Sequence, residues 1–112
     1  MPGATGIRGD RMRSLLAEVL ARLDGLTIDP AEVHIEVPPT RDPIVTLRFA
    51  RVADIEHYAS ADKATVESRH IVLAHHGGRY IEHTAMYDRP GRRMLLRCLV
   101  FPHSPDWPGD AA

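Results

Sequence analysis

The sequence predicts an α+β fold: an antiparallel sheet of about five strands with two helices packed on one face, in the order α-β-β-α-β-β-β. Three observations carry this prediction. One long stretch near the start repeats its apolar residues every three to four positions, and a shorter one does so in mid-chain. Further runs alternate or cluster apolar residues between turn-forming residues, as strands do. The chain divides into a Gly-rich flexible start (1–9), a single domain (10–101) and a Pro-rich tail (102–112).

The first helix is read from "DRMRSLLAEVLARLDGL". Asp10 stands where an N-cap is wanted and Gly25 where a C-terminal glycine is. Met12, Leu15, Leu16, Val19, Leu20 and Leu23 fall on one broad face, and Glu18 and Arg22 form a favourable i,i+4 pair on the other. A sheet can absorb the whole apolar stripe, so the stripe alone is no argument for a coiled coil. After a turn at Asp29-Pro30, "EVHIEVP" alternates Val33, Ile35 and Val37 against His34 and Glu36, the pattern of a half-buried strand. "PPTRDP" is a loop. "IVTLRFA" is a second strand with Val45, Leu47 and Phe49 on one side, and "RVADIEHYASAD" returns to helical spacing through Val52, Ile55 and Tyr58.

Three strands finish the domain. "RHIVLAHH" and "RYIEHTAMYD" are joined by Gly77-Gly78, a pair able to supply the positive φ of a two-residue hairpin turn. "RPGR" suits a type II turn and leads into "RMLLRCLVF". The tail has prolines that cannot continue a strand, and its Trp107 is expected to fold back on the domain.

Composition narrows the function classes. The 112 residues are 44% hydrophobic and 26% charged, ordinary for a globular chain and wrong for a disordered one. A net charge of −1 lacks the basic excess of a typical nucleic-acid binder. Cys98 is the single cysteine, which excludes an internal disulfide and fits a reducing compartment. The start lacks the apolar segment of a secretory leader, and no run is long and apolar enough to span a membrane. A cytoplasmic location is the expectation.

The stretch richest in chemistry is "HIVLAHHGGRYIEH", residues 70–83, which holds four histidines. A two-residue turn at Gly77-Gly78 pairs His76 with Arg79, His75 with Tyr80 and Val72 with His83. One face then carries His70, Val72, His76, Arg79, Ile81, His83 and Ala85. The other carries Ile71, His75, Tyr80, Glu82, Thr84 and Met86. If Asp88 pairs with Arg93, His83 lies opposite Cys98 and diagonal to His70. These three are the candidate metal ligands, and their chemistry suits zinc. No tight ligand spacing supports them, and a register slip would separate them. A solvated hairpin tip is the simpler reading of His75-His76.

Catalytic motifs are missing from the sequence, and Cys98 sits in an apolar run that suits a buried thiol, so an enzyme is not the expectation. The last strand is apolar on both faces. Met94, Leu96, Cys98 and Val100 lie on one, Leu95, Leu99 and Phe101 on the other with Arg93 and Arg97. Leu95, Leu99, Phe101, Arg93, Arg97 and Trp107 are therefore the candidate interaction surface. The leading expectation is a small protein-interaction or regulatory module, self-associating as a homodimer. A His-rich metal protein is the second, and a nucleic-acid accessory protein using the arginine-bearing face the third.

Overall fold

The computed structural model describes residues 4–75 and 77–109. It contains α1 (Ala4–Gly25), β1 (Glu32–Glu36), β2 (Ile44–Phe49), α2 (Val52–Ala61), β3 (Glu67–Val72), β4 (Arg79–Arg89) and β5 (Arg92–Val100). Class and element order are those the sequence predicts. Residues 1–3, His76 and 110–112 lie outside the described residues, and with them the expected His76–Arg79 pairing and the outer ends of the start and tail.

The five strands form one sheet in the order β1-β2-β5-β4-β3. Three pairings are antiparallel, as expected, but β2 and β5 run parallel, so the sheet is mixed. The reason is the two-sided apolar character of β5. Such a strand is most stable between two neighbours, and it inserts beside β2 once α2 has carried the chain across the sheet. The register there sets Val45 beside Met94, Leu47 beside Leu96 and Phe49 beside Cys98. All six side chains are almost wholly buried, and with Ile55, Tyr58 and Ala59 of α2 and Leu15, Val19 and Leu23 of α1 they form the core. Both helices cover this one face, which leaves the second face of the sheet open.

Both helices end in the same backbone device. At the end of α1 the Ile28 N–H donates to Leu23 O (2.9 Å) and the Thr27 N–H to Asp24 O (3.0 Å), with Thr27 left-handed at φ 57°. At the end of α2 the Ala64 N–H donates to Ala59 O and the Lys63 N–H to Ser60 O, with Lys63 at φ 58°. Each is a Schellman arrangement, and in α1 it is locked by burial of Ile28 with Leu23. The left-handed residue is thus Thr27 and not the expected Gly25, which remains helical. At the other end α1 begins at Ala4, so residues 4–9 of the expected flexible start are helical and Asp10 lies inside the helix instead of capping it.

The N-terminus of α2 is capped from far away in sequence. Its N-cap residue, Arg51, makes no side-chain cap bond of its own. The tail folds back, as expected, and Asp106 accepts hydrogen bonds from the Val52 N–H (2.8 Å) and from Arg51 Nε and Nη2 (2.9 Å each). The bonds from Arg51 and then Val52 hold the Asp106 carboxyl down at about 2. A depressed carboxylate contributes stability above its unfolded value and loses it as pH falls through the folded one. Replacing Asp106 with Ala is expected to cost about 1–2 kcal/mol in urea unfolding at neutral pH, the usual cost of losing a cap. It should also flatten the fall in stability below about pH 4, where an unpaired Asp begins to protonate. An unchanged midpoint would show that the tail does not hold α2.

Candidate functional site

The histidine hairpin differs from its expected form. β3 pairs with β4 through Val72–Arg79, Ile71–Tyr80, His70–Ile81 and Ser68–His83, so the strands separate after Val72 and the connecting loop is longer than a two-residue turn. The Gly78 carbonyl accepts from the Leu73 N–H (2.7 Å), closing that loop, and Gly77 has the positive φ. The slip is four residues, an even number, so each residue keeps its predicted face. His83 does lie opposite Cys98, and His70 remains its diagonal neighbour.

That neighbourhood does not make a metal centre. His83 Nδ1 lies 2.7 Å from Ser68 Oγ, and the His70 ring meets the Trp107 ring edge-on at 5.7 Å. Cys98 is sealed from solvent, and burial pushes its thiol up to about 11. Among the described residues no three His, Cys, Asp or Glu side chains converge where a metal could sit. Ser68, which has no sequence motif around it, thus meets an imidazole. Ser68 and His83 are directly opposed on β3 and β4, so the contact is a cross-strand hydrogen bond.

Trp107 departs from the expected interaction surface. It packs against the core on the helix side of the sheet, with the Arg79 guanidinium 5.2 Å above its ring. The other five residues do share the open face. Arg93, Leu95, Arg97, Leu99 and Phe101 run along β5 and its end, and the register adds Met86 and Tyr80 from β4. Tyr80 and Phe101 lie 5.5 Å apart, and His103 stacks on Phe101.

The arginines of this face are all engaged. Arg97 and Arg69 both donate to Glu82 (2.8 and 3.0 Å), Arg48 to Glu32 (3.3 Å), and Arg93 lies 3.3 Å from Asp88. Desolvation works to raise the Glu82 carboxyl, but the hydrogen bonds from Arg97 and Arg69 outweigh it and hold the group below the usual range. A phosphate backbone would have to displace these carboxylates. The face is a lattice of paired charges with apolar side chains between them.

A second ionic group joins the layers. Asp62 at the end of α2 accepts from Arg22 of α1 and from the Tyr87 hydroxyl of β4, both at 2.6 Å. Burial, and next the bond to Asp62, raise the Tyr87 phenol far above its usual value. With its oxygens filled by structural partners, Asp62 is a clasp between helices and sheet.

The least expected surface is on α1. Leu15, Val19 and Leu23 are buried, but Met12, Leu16 and Leu20 are 39%, 37% and 47% exposed. The sheet therefore absorbs one i,i+4 row of the stripe and leaves the adjacent row to solvent. From Gly9 to Ser14 no residue of α1 is buried, and Leu15 is the first described residue of the helix to enter the core. No family model matches the chain, and neither does any curated protein or solved structure. Among the described residues no helix is long and apolar enough to cross a membrane.

The buried thiol gives a direct check on the core. At pH 8 native Cys98 should react with a thiol reagent at least ~100-fold more slowly than the unfolded chain, because both thiolate fraction and access are reduced. Native labelling at the unfolded rate would place Cys98 outside the core.

Proposed function

We propose that the protein is a small interaction module that acts by contact rather than by catalysis, and that it works as a homodimer joined through the uncovered row of α1. The row itself is the observation that carries this reading. Met12, Leu16 and Leu20 stand in line on a helix whose neighbouring row is fully used. Large apolar side chains one helical turn apart, exposed together, are the form in which a helix meets another helix. A near-neutral chain with its open-face arginines already paired favours a protein partner over a nucleic acid. The groups whose protonation is most perturbed, Asp106, Tyr87 and Cys98, are each held in a structural contact, which supports a role without chemistry. Joining through α1 leaves the open sheet faces of both copies turned outward, where Leu95, Leu99, Phe101, Met86 and Tyr80 can meet a further protein.

Mass in solution tests this reading. The wild-type chain should pass from monomer to dimer between low-micromolar and high-micromolar concentration. Leu16→Glu and Leu20→Glu should remain monomeric with a folding stability within about 0.5 kcal/mol of wild type, since both positions are exposed. A wild-type chain that stays monomeric throughout removes the homodimer. Variants that associate as well as wild type move the interface off α1.

A further inference from the structure

The charges flanking the uncovered row fix how a second copy lies on it, given the reading that α1 is the interface. Helical residues advance 100° each, so Met12 and Leu20 lie within about 40° of Leu16, while Leu15 and Val19 lie about 100° and 60° round toward the sheet and Leu23, about 20° round on that same side, is buried near the end of the helix. Arg13 and Asp24 flank the exposed row together, about 60° and 80° round from Leu16 on the side away from the core. Both are solvent-exposed, and Arg13 is tied only by long contacts, 3.4 Å to Gly9 O and 3.7 Å to Asp10. Arg22, which holds Asp62, projects toward α2 on the opposite flank, so α2 does not obstruct this side.

We infer that two copies pack their α1 helices antiparallel about a two-fold axis at Leu16, with Arg13 of each copy paired to the partner's Asp24. In this arrangement Met12 meets the partner's Leu20 and Leu16 meets the partner's Leu16, so the whole row is covered by itself. Residues on the same flank become neighbours across an antiparallel pair. Arg13 and the partner's Asp24 are then offset by about 7.5 Å along the axis, at 1.5 Å per residue. Helical side chains lean toward their own N-terminus, and in an antiparallel pair that brings these two toward each other. A symmetric parallel pair would put the two copies' Arg13 and Asp24 flanks on opposite sides of the seam, so these charges could not pair across it.

Two measurements test the arrangement. In the first, Arg13→Glu and Asp24→Lys are compared singly and together by dimer dissociation constant. Each single change should weaken the dimer roughly tenfold, because it sets like charges against each other at two symmetry-related places. The double variant should return to within about twofold of wild type, as a coupled pair does. In the second, Met12→Cys and Leu20→Cys variants are oxidised alone and mixed, with buried Cys98 as a silent background. The mixture should cross-link and each variant alone should not, because in the antiparallel pair like positions lie about 12 Å apart, too far for a disulfide. Cross-linking of each variant alone overturns the inference in favour of a parallel pair. So does a double charge variant as weak as the singles. If Leu16→Glu still dissociates the dimer in those cases, the α1 interface stands and only the antiparallel geometry falls. If Leu16→Glu leaves the dimer intact, the interface itself is elsewhere.

Discussion

The parallel pairing of β2 with β5 joins two halves of the sheet that are each simple antiparallel units, β1-β2 on one side and β3-β4-β5 on the other. Everything else depends on it. It brings Val45, Leu47 and Phe49 beside Met94, Leu96 and Cys98, producing an apolar strip too wide for one helix to cover. α2 covers part of it with Ile55, Tyr58 and Ala59, and α1 covers part with Leu15, Val19 and Leu23. Asp62, held by Arg22 and Tyr87, then pins both helices to β4, and Asp106 fixes the start of α2 from the tail. The protein thus has one face closed by its own helices and tail, and one face open.

The cost of that arrangement is borne by α1. The helix is 22 residues long, whereas its buried row runs only from Leu15 to Leu23. From Gly9 to Ser14 the helix buries no residue. A few turns of isolated helix are marginal in water. The second helix proposed to lie along Met12, Leu16 and Leu20 would supply tertiary support there.

Much of the fold was legible because it is local. The 3.6-residue period of α1, the alternation of β1 and the Pro90-Gly91 turn each encode an element without reference to distant residues. The Asp88–Arg93 pairing held because a tight turn fixes its own register, and it carried His83 to Cys98 as expected. The histidine hairpin failed on the same principle: Gly77-Gly78 could have made a two-residue turn, but β3 starts earlier, at Glu67, and the loop lengthens to suit. The features that were missed are tertiary. Nothing local marks Asp106 as the cap of a helix some fifty residues earlier, or Thr27 as the left-handed residue while Gly25 stands nearby. The two-sided apolar character of β5 was read as an interaction surface, and the sequence does not say which neighbours the strand takes in the sheet. For the candidate site, the open-face residues were legible from strand alternation alone, with the exception of Trp107, whose place is set by where the tail turns. The split of the α1 stripe into a buried and an exposed row was not legible, because it depends on how far the sheet extends beneath the helix.

Amide hydrogen exchange along α1, measured in dilute and in concentrated protein, tests the central claim most directly. If α1 is the self-association surface, the amides from Met12 to Leu20 will become more protected as concentration rises. Those of β5, already in the core, will keep the same protection. Protection of α1 that is identical in both samples, or a concentration-dependent rise confined to the strands of the open face, would contradict the account.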